Sequence, residues 1–519
     1  MSFPAPIGLA SSGPFSSFDL SIVVSDQSSS EVFSELSNVM DEQHALDPRV
    51  GDKVSLLLDS SFPGGRLLHI PTGKLTRDYD DVRRIFDLGR QHADLLIELK
   101  STKPVVSVEL NNLPDHKKDL FAKALGVFYL GLCQGLYQPL EARQSLGEDS
   151  LEPVQQIALI GADEVLIKQL IATEAGKRVA RDLCGTEPER MAPPGFADYC
   201  QALFSHTDVD ITIIDDEKQL FDQYPALHAV ARASLHVQRH QPRVIQLTYT
   251  GQGEISETLM LAGKGITFDT GGVDLKVNGH MAGMSRDKGG AAAVAGFMYA
   301  LALLKPKGIK VMAEIAAVRN NVDAEAYTPD EIITGHSGVR VRVGNTDAEG
   351  RLVMMDILSH FREQAANEIN PSVFSFATLT GHAMLAHGPY TAVLENGPAL
   401  ASGVNEKLCS QGLLWGDMCH QSLVHREDYE FVQPRTKADD VLSSNNAPSV
   451  STVRGHQFPM AFLAIASGLD KHGLDSPAPI PFTHVDIAGS GVENMSWQHG
   501  KPTAAPVTSL LASYIFGNS

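Results

Sequence analysis

Apolar residues in the first third of the chain come in short runs separated by polar and turn-forming stretches. The runs at 18–24, 53–59, 66–73, 103–110 and 155–162 are rich in Val, Ile and Leu and read as β-strands. Residues 119–137, DLFAKALGVFYLGLCQGLY, are apolar almost throughout and read as a buried helix. From 164 to 183 the spacing turns helical with mixed charge, and the breaker-rich CGTEPERMAPPG of 184–195 follows. Strand-like runs resume at 209–215, 243–251, 258–263, 309–318, 339–343 and 372–379, most of them continuous, as in a sheet covered on both faces. Residues 289–304 and 350–364 read as helices. The pattern predicts an α/β fold in two domains. A smaller N-terminal α/β domain occupies 1–163, a connecting helix and linker 164–190, and a larger C-terminal α/β domain 191–519, with a mixed central sheet covered by helices.

Length supports two domains, since 519 residues exceed one ordinary core. A hydrophobic fraction of 43% with 20% charged residues is that of a globular protein. The net charge of -20 argues against nucleic acid or an anionic membrane surface as partner. The five cysteines form no CxxC pair and are odd in number, which points to a reducing compartment. The first residues, MSFPAPIGLASSGPF, do not read as a signal peptide, and no apolar run approaches the ~20 residues of a bilayer span. The expected location is cytoplasmic, with no membrane association.

The N-terminal domain shows no catalytic cluster and reads as an assembly or regulatory domain. The chemistry is concentrated in GKGITFDTGG at 263–272, in Asp287 and in NTDAEGRL at 345–352. The first stretch follows a strand-like run, and the second lies between a strand and a helix, where open α/β sheets place their ligands. Lys264, Asp269, Asp287, Asp347 and Glu349 form an oxygen-rich candidate ligand set with one amine and no Cys or His. Such a set suits Mn²⁺, Mg²⁺, Co²⁺ or Zn²⁺. Four carboxylates are excessive for one catalytic ion that needs an open position, whereas two ions are neutralised and retain room for a bridging water. Lys264 ligates only as a neutral amine. Lys276 and Arg351 remain as cations, suited to stabilising an oxyanion or gripping a small planar anion. No His or Glu stands beside them as an obvious general base. His280, His382, His387 and His484 read as loop or supporting residues, not as ligands. HExxH, GxSxG and Walker A motifs are absent.

At these residues the chain resembles the leucine aminopeptidase family of dimetal exopeptidases. NTDAEGRL matches that family's signature octapeptide in full, and GKGITFDTGG, Lys276, the RDxGGAAA stretch ending at 293, ATLTG at 377–381 and THVDIAG at 483–489 follow in order. The resemblance is strong from about 245 to 391, with a second island near 483, and covers the first 190 residues only in general architecture. It implies a catalytic C-terminal domain that removes N-terminal residues from peptides with a free amine, with a leucine-like preference. Asp269 and Glu349 would bridge two metal ions, Zn²⁺ or Mn²⁺ foremost. Lys264 and Asp287 would complete one ion and Asp347 the other. Lys276 would polarise the scissile carbonyl, and Arg351 would hold a bicarbonate ion acting as general base. Met284, Thr378, Gly381 and Ala488 would line the pocket for the first side chain, and Leu379 and Gly381 would offer backbone hydrogen bonds. The family's assembly is a homohexamer, a dimer of trimers.

Three departures stand out. Lys288 follows a ligand where the family usually has Met, Arg319 precedes Asn320 where Glu is common, and His382 and His387 occupy a loop usually built of small residues. Lys288 is expected to add positive potential at the metals and so shift metal affinity or disfavour basic first residues. Two rival readings are a different dimetal hydrolase, a phosphoesterase or amidohydrolase, and a non-enzymatic scaffold or regulatory protein on an inherited fold. The absence of His ligands weighs against the first, and the intact ligand set against the second.

Overall fold

A computed structural model describes residues 3–147 and 151–517. The chain forms two compact units, Met1–Ala175 with Gln411–Gly416, and Gly176–Ser410 with Asp417–Ser519. The division falls inside the helix Glu164–Gly185, within the 164–190 stretch expected to connect the two domains. A continuous helix presents no break in periodicity to mark the point.

The N-terminal unit is built on six strands, β1 (Ala5–Leu9), β2 (Leu20–Ser25), β3 (Ser55–Leu58), β4 (Arg66–Pro71), β5 (Pro104–Glu109) and β6 (Gln156–Ile160), in the order β1-β6-β5-β2-β4-β3. All pairs are parallel except β3 with β4. β2 is buried along its whole length, as its unbroken apolar run requires for a central parallel strand. The apolar stretch near 130 forms the helix α1 (Ala124–Leu136), buried on nearly every side. No single described helix is long and apolar enough to cross a membrane.

The C-terminal unit adds β7 (Val209–Ile214), β8 (Arg243–Thr250), β9 (Glu257–Asp269), β10 (Ile309–Asn320), β11 (Ile332–Thr334), β12 (Arg340–Arg342), β13 (Pro371–Ala377), β14 (Thr391–Glu395), β15 (Cys419–Gln421), β16 (Val441–Leu442) and β17 (Phe482–Asp486). Eight of them form a mixed sheet in the order β15-β14-β17-β13-β9-β10-β8-β7, while β11, β12 and β16 form a small separate sheet. Two helices bracket the central strands, α2 (Gly289–Leu304) and α3 (Glu349–Ala365). Met260, Ala262 and Ile266 of β9 share a core with Leu352 and Val353 of α3 and with Phe462. Gly263 and Gly265, one residue out of phase, back onto Ala291 of α2. The two-residue alternation of a strand therefore buries both faces of the sheet.

One element corrects the sequence reading. GKGITFDTGG is expected beyond the end of a strand at 263, yet β9 continues to Asp269, pairing with Ala316–Asn320 of β10 past a bulge at Val318/Arg319. Polar Lys264 and Asp269 break the apolar pattern without breaking the ladder, because β10 stays paired with β9 through Asp269 after β13 has left it at Gly263.

Candidate metal centre

The carboxyl ends of the central strands carry the charged residues. β9 supplies Lys264 and ends on Asp269, and β10 ends on Asn320, its register partner. Asp287 follows the single turn Met284–Arg286, just before α2. In the turn Thr346–Ala348 the Asn345 side chain caps the Asp347 amide, and Glu349 opens α3. Asn and acidic residues are favoured at helix starts, so local propensity and the placement of charge agree here.

Carboxylate oxygens of Asp269, Asp347 and Glu349 lie within 4.8 Å of one another. Lys264 Nζ lies 2.8 Å from Asp287 Oδ2 and 2.9 Å from Glu349 Oε1, and donates to Thr378 O at 3.2 Å. Lys276 Nζ is 2.8 Å from Asp269 Oδ2 and contacts Asp347 Oδ1. All five candidate ligands and Lys276 thus converge on one cluster. Lys264, Asp269, Asp287 and Glu349 are buried, and Asp347 opens to solvent.

The electrostatics of this cluster bear on whether cations fit it. Burial pushes Asp287 well above the usual carboxylate range, against Lys264 and with added repulsion from Glu349 and Asp269. Burial and Asp269 push Asp347 up to about 7, and the same causes raise Glu349. Asp269 goes the other way, held low against its burial by Lys276 and Lys264. Both lysines stand above the ordinary lysine range, because the carboxylates outweigh burial. The cluster's two ammonium groups therefore leave its negative charge only partly compensated. Four carboxylates, with no imidazole or thiolate among them, fit hard or borderline divalent ions, and Lys264 would join them once a bound ion displaced its ammonium proton.

Residues that the sequence reading leaves without a role hold these groups. Asn320 Nδ2 donates to Asp269 Oδ1 at 2.8 Å, Thr346 O at 3.1 Å and Glu349 Oε2 at 3.4 Å. A polar residue closing an otherwise apolar strand is the signal that marks it. Asp274 joins the two motifs, accepting from the Thr346 amide at 2.8 Å while its own amide donates to Thr346 Oγ1 at 2.9 Å. Gly271 makes that loop feasible: its φ is +87°, and a Cβ there would lie 2.5 Å from Asp274 O.

Arg351, in the first turn of α3, donates from Nη1 to Ser443 O at 2.7 Å and lies 5.1 Å from the centre of the Phe458 ring. Its buried Nε has no hydrogen-bond partner among the described residues. Burial lowers its pKa, with Glu349, Asp486 and Asp347 opposing, and a guanidinium so placed stays cationic at neutral pH.

Thr378, just beyond β13, donates from Oγ1 to Asp287 Oδ1 at 2.7 Å. The Leu379 and Ala488 amides donate to Asp486 Oδ1 at 3.1 and 3.0 Å, and the Gly381 amide donates to Ser449 Oγ at 3.1 Å. Met284 lies in the turn that leads to Asp287. Lys288 is fully buried, and its ammonium donates to Thr186 O at 2.9 Å and to Ser285 O. Those hydrogen bonds anchor the Asp287 turn to the backbone after the helix Glu164–Gly185. Arg319 pairs with Glu189 at 2.8 Å. His382 and His387 both approach His456, with ring nitrogens 2.7 and 3.2 Å apart.

The family described as cytosol aminopeptidase family, catalytic domain, matches residues 178–511. A Caenorhabditis elegans protein provisionally named an aminopeptidase is 38% identical over 512 residues, 96% of either chain. A Roseiflexus castenholzii protein provisionally named a cytosol aminopeptidase is 29% identical over 86% of this chain and 84% of its own. Among solved structures, the bottromycin maturation enzyme BotP in complex with Mn aligns with a TM-score of 0.73 over 95% of this chain and 98% of its own, at 20% identity.

Proposed function

The chain belongs to the cytosol aminopeptidase family and is a metal-dependent aminopeptidase, and we propose that it removes a leucine-like apolar residue from the free N-terminus of peptides through a two-metal site. The observation that carries this reading is the meeting of the Asp269, Asp347 and Glu349 carboxylates within 4.8 Å, with Lys264 and Asp287 completing the set. These five residues would hold two divalent ions, Mn²⁺ or Zn²⁺ foremost, with Mg²⁺ and Co²⁺ as alternatives. The ions, when bound, supply Lewis acidity and an activated water.

The chain's own residues do the rest. The Lys276 ammonium reaches the edge of the cluster and donates to the scissile carbonyl oxygen as negative charge develops there. Arg351, with its unpartnered Nε, would hold a bicarbonate ion, which would supply a proton acceptor when bound. Met284, Thr378, Gly381 and Ala488 form the wall against the first side chain, with Leu379 and Gly381 alongside the substrate backbone. Thr378 joins that wall to Asp287 directly. All five cysteines are free, in keeping with action in the cytoplasm. The homohexamer rests on family resemblance alone.

The test is hydrolysis of a panel of aminoacyl fluorogenic amides by the full chain reconstituted with each metal in turn, with N-acetylated controls. Release from free-amine substrates only is expected. Equal rates on the blocked controls would refute the free-amine requirement, and phosphate release from phosphoesters instead would refute the reaction class.

A further inference from the structure

Four histidines gather outside the carboxylate cluster and have no role in the assignments above. His382 and His387 lie on the helix Gly381–His387, His420 lies on β15, and His456 stands just ahead of the helix Phe458–Ser467. The rings of His387 and His456 have centres 5.0 Å apart and planes at 83°, and the His420 ring centre lies 5.9 Å from that of His387 at 72°. His387 Nε2 is 3.2 Å from His456 Nε2. His456 is buried, while His387 and His420 are half-buried, so one inner ring is faced by two outer ones.

The separation of the two Nε2 atoms is that of two ligands on one ion. Imidazoles bound tetrahedrally at about 2.0–2.1 Å place their nitrogens about 3.3 Å apart and their ring centres about 5 Å apart. The opposite nitrogen of His456 is engaged as well, with Nδ1 2.7 Å from His382 Nδ1. A ligating imidazole gives its other N–H to a partner, which fixes the tautomer and leaves the lone pair on the ligating nitrogen. With His456 Nδ1–H donating to His382, the Nε2 lone pair of His456 is left toward His387, and Ser422 Oγ stands 2.8 Å from that same Nε2. Burial, with the neighbouring histidines and Arg454, pushes His456 down to about 3. Burial also lowers His382 and His387, so these rings are neutral donors at neutral pH.

We propose that His387, His456 and His420 form a further metal site, which takes one borderline divalent ion, Zn²⁺ foremost, with water as the fourth ligand. Imidazole ligands suit such an ion, whereas Mg²⁺ and Mn²⁺ are suited to the oxygen-rich carboxylate cluster. The ion fastens the helix Gly381–His387 and β15 to the chain entering the helix Phe458–Ser467. It is a structural clasp outside the reaction centre, and it stands independently of the aminopeptidase reading.

The experiment loads the metal-free full chain with Zn²⁺, removes loosely held ion by dialysis, counts zinc by plasma mass spectrometry and records the zinc K-edge X-ray absorption spectrum. The five candidate ligands of the carboxylate cluster include no imidazole, so the multiple-scattering pattern of zinc-bound imidazole reports the histidine site. That pattern is expected in the unsubstituted chain. It is expected to disappear in His387→Gln and in His420→Gln, with about one Zn²⁺ fewer per chain. Both substitutions are at half-buried rings, and far-UV circular dichroism checks folding, so loss of one variant leaves the other decisive. Absence of the imidazole pattern in the unsubstituted chain would overturn the proposal, as would an unchanged pattern and zinc count in either folded variant. Neither readout depends on turnover, so failure of the aminopeptidase reading remains distinguishable.

Discussion

Replacing Asn320 by alanine tests whether the end of β10 holds the metal ligands. The Asn320 amide is fully buried and donates to Asp269 Oδ1 at 2.8 Å, with a longer approach of 3.4 Å to Glu349 Oε2. A hydrogen bond to a charged acceptor contributes about 1.5–3 kcal/mol, and 1.4 kcal/mol is a factor of ten in an equilibrium constant. The 3.4 Å contact is close to the limit of a hydrogen bond and adds little. The bond also exists before metal binds, when Lys276 and the Gly271 amide hold the same carboxylate, so only the difference between the two states appears in affinity. That places the expected loss near the lower end of the 10–100-fold range of outer-shell partners, at roughly tenfold weaker metal binding. The third acceptor, Thr346 O, keeps its bond from the Tyr327 hydroxyl at 2.6 Å, so the turn carrying Asp347 retains an anchor. Calorimetric titration of Mn²⁺ into metal-free Asn320→Ala and unsubstituted protein measures the change, with far-UV circular dichroism as the check on folding. An unchanged dissociation constant in a folded variant would refute a role for Asn320 in positioning Asp269.

Three further outcomes are expected. Lys276→Met should lower kcat by about 10²–10³-fold with a smaller effect on KM, the signature of a lost oxyanion donor, and steady-state kinetics showing kcat intact would remove Lys276 from the reaction. Mn²⁺ at about 100 times its dissociation constant should stabilise the chain by about 2.7 kcal/mol per site, a rise in Tm of roughly 4 °C per site for a domain of more than about 300 residues, and a scanning calorimetry trace without a shift would rule out a metal centre in the native state. His456 is pushed down to about 3 by burial and by His387, His382, His484 and Arg454, so the unfolded chain takes up its proton first. Its contribution to stability is therefore full above pH 6.5 and lost as pH falls from 6.5 toward 3, and His456→Gln should flatten the dependence of Tm on pH in that window. Equal slopes in the two proteins would show that His456 is not the group responsible.

What could be read from the sequence divides along a physical line. Lys264, Asp269, Asp287, Asp347 and Glu349 stand out because charge clustered among glycines has few structural uses, even though β9 and the strand before Asp347 belong to different sheets. The continuation of β9 through Asp269 is hidden, because pairing with β10 alone carries the ladder past polar residues that end an apolar run on paper. Asn320 and Asp274 are hidden for another reason. Their work is to hold other residues, and a lone polar side chain carries no periodicity that tells a strut from a surface residue. Lys288 shows the limit most directly. Its position next to Asp287 marks it, whereas the carbonyls that its ammonium meets, those of Thr186 and Ser285, are set by χ angles and not by sequence distance. The stretch from Ser443 to His456 is an irregular segment whose anchors on Arg351, Gly344, Gly381 and His382 are all distant in sequence. Pattern therefore locates the residues that hold charge, whereas the neighbours that aim and fence that charge emerge only once the chain has closed on itself.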